Sequence, residues 1–144
     1  MSTTAQPRTV GTGPRRSSSP QEPMAFDVMN PACPSRTVLR HLTDRWTPLI
    51  VSALAPGSLR FGQVRSQVAG VTAKVLTQTL RSMERDGLLT RTVTASVPPR
   101  VDYDLTALGQ SLIPPIGALR DWAEGHAGEV LAARRAWDAG SGEV

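Results

Sequence analysis

A chain of 144 residues allows one domain with tails, since single domains commonly hold about 100–150 residues, and its 40% hydrophobic content supports a modest core. No apolar run approaches the roughly 20 residues of a membrane span, and the arginine-bearing N-terminus lacks the apolar stretch of a secretory leader, so a cytoplasmic protein is expected. The formal charge of +4, from fifteen arginines and the single Lys74 against twelve acids, suits a polyanionic partner without specifying one, and one cysteine excludes an internal disulfide.

Residues 1–31 are rich in Ser, Thr, Pro, Gly and Gln, carry Arg8, Arg15 and Arg16, and show no periodic apolar pattern. This predicts a disordered tail, with a basic arm for phosphates as the functional alternative. Its apolar cluster, Met24, Phe26, Val28 and Met29, is a candidate for docking on a partner subunit. A short helix starts near Pro34–Ser35, with Val38, Leu39 and Leu42 on one face. A second runs from about Trp46 to Ala55 and takes Asp44 as N-cap and Pro48 in its first turn. Its core stripe is Trp46, Leu49, Ile50, Ala53 and Leu54, and Pro56-Gly57 ends it.

Ser58-Leu59-Arg60 reads as a short strand, and Phe61 to Val68 as a third helix with Phe61, Val64 and Val68 inward. After the turn Ala69-Gly70-Val71, Thr72 caps a fourth helix that Gly87 terminates. On this helix Ala73, Leu76, Leu80 and Met83 fall on one stripe, and Lys74, Gln78, Arg81 and Arg85 fall opposite. Leu88–Val93 and Val101–Leu105 alternate as two strands, joined by a loop that Pro98 and Pro99 stiffen. Thr106 caps a last long helix carrying Leu108, Leu112, Ile116, Leu119 and Trp122. An interior proline costs about 3 kcal/mol, so Pro114-Pro115 predicts a kink or a break into two helices. Beyond Gly125 only a weak helical run, Glu129 to Trp137, is expected before the chain frays.

Helix-turn-helix followed by a hairpin describes a winged helix, a mainly α fold with a small β-hairpin. DNA binding needs cations near phosphates and donors or methyl groups at base edges. Thr72, Ala73, Lys74, Thr77 and Gln78 occupy the first turns of the fourth helix, the part that reaches bases in a major groove. Gln pairs with adenine, Lys with guanine, and Ala or Thr methyls touch thymine. Arg81 and Arg85 suit phosphates or helix salt bridges. Arg100, after two prolines at the hairpin tip, suits a phosphate or minor-groove contact, and Arg60 and Arg65 flank the third helix as backbone clamps. Arg45 sits beside Trp46 and is as well explained by covering that ring. A solvated polar helix face is the plain alternative for the whole set.

The chain resembles the HxlR family of bacterial winged-helix transcriptional regulators over roughly Cys33 to Trp122. The resemblance rests on Cys33-Pro34, Arg45-Trp46-Thr47, Leu59-Arg60-Phe61-Gly62-Gln63-Val64 and Lys74-Val75-Leu76-Thr77-Gln78 with Leu80. It continues through Glu84-Arg85-Asp86-Gly87-Leu88, Val97-Pro98-Pro99-Arg100-Val101-Asp102-Tyr103 and Leu105-Thr106-Ala107-Leu108-Gly109. It implies a homodimer joined by the first and last helices, binding an imperfect palindrome with one recognition helix per subunit. The interface candidates are Val38, Leu112, Ile116, Leu119 and Trp122. Pro115 and the long N-terminal tail depart from the family pattern. Residues 1–31 are then the tail, 32–127 the winged helix-turn-helix domain with its dimerisation helices, and 128–144 a weakly helical extension.

Cys33 stands at the family's N-terminal cysteine, which implies a candidate sensor of oxidants or electrophiles. A helix N-terminus and Arg36 a turn away would favour its thiolate, and a small residue buried at the dimer seam is the alternative. The residues bear on three rival functions. An enzyme is not expected: His41 and His126 lie far apart, and no metal-ligand spacing or phosphate loop is present. No cofactor or metal is expected either. A protein-binding winged helix would need an apolar outward face in place of Lys74, Gln78 and Arg81. A small-molecule effector is the remaining alternative, with Trp46, Tyr103 and Trp122 lining a pocket at the dimer interface. The expected partners are an operator duplex, a second copy of the chain, and an oxidant or small-molecule effector, with repression as the expected outcome.

Overall fold

The computed structural model describes Ala5 and residues 25–141, so Arg8, Arg15, Arg16 and Met24 lie outside the described residues. From Asp27 the chain forms turns held by local bonds. The Asp27 carboxylate accepts from the Met29 N–H and the Asn30 side chain accepts from the Ala32 N–H. These turns lead into α1 (Ser35–Thr43), which buries none of its residues.

Helix α2 (Thr47–Leu54) begins where one Asp44 carboxylate oxygen accepts the N–H groups of Trp46 and Thr47, each at 2.9 Å, and the Thr47 hydroxyl at 3.2 Å. Partial burial alone would raise the Asp44 pKa. The Thr47 and Trp46 donors and the nearby His41 charge outweigh it, holding the carboxyl below its usual range. The buried stripe is Thr47, Ile50, Val51 and Leu54. Leu49, expected inward, is exposed, because the i, i+3, i+4, i+7 set is rotated by one position.

Strand β1 (Leu59–Arg60) feeds α3 (Phe61–Gln67), where the Gln63 side chain reaches back to accept the Arg60 N–H at 2.9 Å. In the next helix, α4 (Ala73–Arg85), the Thr72 hydroxyl accepts the Val75 N–H, and Leu76, Leu80 and Met83 are buried. Ala73, expected on the inward stripe, is exposed. Gly87, at φ 76°, closes α4 with two bonds: Leu88 N–H to the Met83 carbonyl and Gly87 N–H to the Glu84 carbonyl. This is a Schellman cap, and it packs Leu88 against the core at the start of the hairpin.

Strands β2 (Leu89–Thr94) and β3 (Arg100–Leu105) pair antiparallel from Leu89↔Leu105 to Thr94↔Arg100, and β1 joins the far side of β3 to give the order β1-β3-β2. Leu89, Tyr103 and Leu105 face the helices. Thr106 then caps the short α5 (Ala107–Gln110), and α6 spans Ile113–Gly140. The break expected at the two prolines falls before them instead. Pro114 and Pro115 stand in the first turn of α6, where backbone N–H groups have no helical partner anyway. The weak helical run expected over Glu129–Trp137 is part of a longer element, since α6 continues unbroken through Gly125 and Gly128 to Gly140. Among the described residues, no helix is long and apolar enough to cross a membrane.

Candidate nucleic-acid interface

The burial of Leu76, Leu80 and Met83 decides which way α4 faces. Once these three point inward, Lys74, Gln78, Arg81 and Arg85 turn outward, and Thr72, Ala73, Lys74, Gln78 and Arg81 are all exposed. Thr77 is half-buried and its hydroxyl donates to the Ala73 carbonyl at 2.8 Å, which leaves its methyl as the free group. The ion pairs among the described residues are His41–Asp86, Arg100–Asp102 and Arg120–Glu124, so Lys74, Arg81 and Arg85 carry unneutralised charge.

Arg65 is exposed on α3, while Arg60 and Arg100 line one open crevice at the tip of the wing. The Arg100 guanidinium lies 2.9 Å from the Asp102 carboxylate. An exposed pair of this kind is worth about 1 kcal/mol or less, so a phosphate can replace the carboxylate at little cost. Two further residues border this face. Arg91 follows Leu89 by two positions in β2 and shares its helix-facing side, a placement that the strand alternation could have revealed. His41 pairs with Asp86 across 45 residues of sequence, tying α1 to the C-terminal end of α4, and no local pattern signals such a contact.

Cys33 is partly exposed, and its sulfur accepts from the Ser35 hydroxyl at 3.0 Å and the Asp27 N–H at 3.2 Å. The Ser35 hydroxyl and then the Ser35 backbone N–H lower the thiol pKa; desolvation opposes them, and the Asp27 N–H adds to the lowering. Arg36, expected to favour the thiolate, instead donates to the carbonyls of Val28 and Met29.

Of the expected dimer contacts, Val38, Leu119 and Trp122 are exposed. Leu112 is half-buried beside an apolar groove shared with Phe26, Val28, Val38, Leu39 and Leu42. Ile116 is 1% exposed and belongs to the chain's own core, because one turn of α6 must face α2. The three aromatics considered as an effector pocket have separate surroundings. Trp46 lies under the Arg45 guanidinium, Tyr103 is buried in the sheet, and Trp122 stacks on His126 at 5.0 Å.

Comparison with known proteins agrees with this architecture. The HxlR-like helix-turn-helix family model matches residues 41–130. The HTH-type transcriptional regulator YtfH of Escherichia coli strain K12 is 47% identical over 102 residues, covering 71% of this chain and 81% of that protein. The solved transcriptional regulator ytfH from Salmonella typhimurium is 42% identical with a TM-score of 0.71, over 77% of this chain and 99% of that one. The redox regulator HypR in its reduced form is 29% identical with a TM-score of 0.63, over 69% of this chain and 98% of that one. The chain therefore belongs to the HxlR-like helix-turn-helix family of transcriptional regulators.

Proposed function

We propose that two copies of this chain bind a pseudo-palindromic operator, each with α4 in a major groove and the β2–β3 wing against the adjacent backbone, and thereby repress transcription. The observation that carries this reading is the outward face of α4, where Lys74, Gln78 and Arg81 stand exposed and without carboxylate partners among the described residues. Lys74 and Gln78 offer donors to base edges, and the Thr77 methyl suits thymine. Arg81, Arg60, Arg65 and Arg100 supply the phosphate contacts that set affinity. An apolar outward face, the mark of a protein-binding module, is missing from these positions.

A redox switch is a second reading, favoured by the hydrogen-bonded, partly exposed thiol of Cys33 and by the likeness to HypR, itself a redox regulator. One experiment tests both. Fluorescence anisotropy on duplex from the chain's own upstream region, across a salt series, is expected to show affinity falling steeply with salt. Lys74→Ala and Gln78→Ala should each reduce discrimination between operator and unrelated duplex by about tenfold. Binding that is insensitive to salt and sequence overturns the DNA reading. Oxidant is expected to change affinity in the natural chain and not in Cys33→Ser; an equal response in both removes the thiol from the switch.

A further inference from the structure

Helix α4 and strand β2 meet over a crevice of about 130 Å³ lined by Thr77, Leu80, Arg81, Glu84, Arg91 and Tyr103. Arg81 enters it from the helix and Arg91 from the strand, and neither forms an ion pair among the described residues. Tyr103 pairs with Arg91 across the β2–β3 ladder. Its side chain is 8% exposed, and no hydrogen bond of its hydroxyl is found among the described residues. No buried side-chain oxygen or nitrogen among those residues lacks a partner, so this hydroxyl reaches solvent, and the crevice is the opening that Tyr103 lines. Two arginines and a tyrosine thus line one crevice, and among the described residues neither arginine has a carboxylate partner.

We propose that this crevice is a seat for one phosphate of the DNA backbone, with Arg81 and Arg91 as the charged donors and Tyr103 as a third, neutral one. The inference rests on the DNA-binding reading above. Guanidinium forks match the geometry of a phosphate, and tyrosine hydroxyls commonly donate to phosphate oxygens. A base edge fits poorly here, because the crevice lies beside the face of α4 that carries Lys74 and Gln78, on the side toward the wing. A strand bordering the groove occupied by α4 passes between recognition helix and wing, which brings a phosphate over this opening. Glu84 is the one acid at the rim and opposes the anion. Its presence sets the sign of a second test.

The test is the salt dependence of binding for full-length variants, measured on the operator and on an unrelated duplex of equal length. Arg91→Gln is expected to lower affinity by the same factor on both duplexes and to reduce the slope of log affinity against log salt by about one. Its disadvantage should therefore shrink about fourfold between about 50 and about 200 mM salt. Arg91→Lys should keep the slope while binding more weakly, and Tyr103→Phe should weaken both duplexes with the slope unchanged. An unchanged slope in Arg91→Gln, or a loss confined to the operator, overturns the proposal. If Arg91→Gln fails to fold, Glu84→Gln decides: tighter binding to both duplexes supports the seat and unchanged binding refutes it. Replacing chloride with inorganic phosphate at fixed ionic strength separates the sources. Inhibition that Arg91→Gln abolishes, together with an unaltered DNA slope, makes the site one for a free anion and overturns the DNA contact. A natural chain that binds no duplex defeats the DNA-binding reading itself, whereas a binding chain with a normal Arg91→Gln slope defeats this inference alone.

Discussion

Cys33 differs from an ordinary surface thiol through its donors. The Ser35 hydroxyl lies 3.0 Å from the sulfur and the Asp27 N–H 3.2 Å, so a thiolate forming there is met by groups already in place. The consequence is a pH profile. The rate of Cys33 alkylation by iodoacetamide follows the thiolate fraction, so its midpoint is expected below that of free cysteine. Ser35→Ala removes the largest cause and should move the midpoint up toward the ordinary thiol range. Arg36→Ala should leave it in place, since that guanidinium is engaged with the carbonyls of Val28 and Met29. A midpoint that follows Arg36 and ignores Ser35 would reverse the assignment. The sequence made the cysteine conspicuous and pointed to the helix N-terminus, whose Ser35 N–H does lower the thiol pKa, but its second helper, Arg36, is engaged elsewhere. Charge is visible in a string of letters, whereas the turn that aims the Asp27 N–H at the sulfur is tertiary geometry.

Helix α5 shows the same division at the scale of an element. Its Gly109 is buried, and a Cβ there would lie 1.9 Å from the Leu88 carbonyl oxygen, a backbone atom that cannot rotate away. Leu88 is also the acceptor for the Thr106 N–H at 3.1 Å, and the Thr106 hydroxyl bonds the Gly87 carbonyl. The junction between α4, the wing and α5 is therefore a single packed knot around two residues. Gly109→Ala is expected to cost about 3 kcal/mol or more, since overpacking against a fixed backbone has no side-chain escape, and to lower Tm by on the order of 10 °C. Gly117→Ala is the control: nothing lies within 4 Å of its added methyl, so that change should be neutral or slightly stabilising. Equal melting of the two variants would show that the junction yields. Periodicity and caps were legible for α4, where Thr72 and Gly87 punctuate a clean apolar stripe. They were misleading for α6, because Pro114-Pro115 marks a helix start as readily as a break, and only the turn at Ser111–Leu112 distinguishes the two.

Across the whole molecule the unresolved balance is apolar surface without cover. Trp122 is 59% exposed and Leu119 49% on α6, and Val38 is 64% exposed on α1. Val38 also lines an apolar groove of about 420 Å³ with Phe26, Val28, Leu39, Leu42 and Leu112. Along the outer half of α6, Leu119, Ala123, His126, Val130, Ala133 and Trp137 recur at alternating spacings of four and three, the interval of a helix–helix seam. A helix of 28 residues is about 40 Å long, enough to contribute the roughly 800 Å² per partner of a standard interface. Ile116 separates this surface from the core, being fully enclosed within its own chain. If the proposed dimer pairs through this surface, the double change Leu119→Glu with Trp122→Glu should leave the fold and its melting intact while giving a monomer by light scattering. Ile116→Ala should instead cost about 2–5 kcal/mol of fold stability without acting on association first. Loss of the second subunit removes the linkage between two recognition helices, so affinity for a full operator should fall by about 100-fold or more while a half-site is bound as before. A double variant that keeps twice the chain mass would place the pairing surface elsewhere, and one that is monomeric yet binds the full operator unchanged would mean that a single α4 carries the recognition alone.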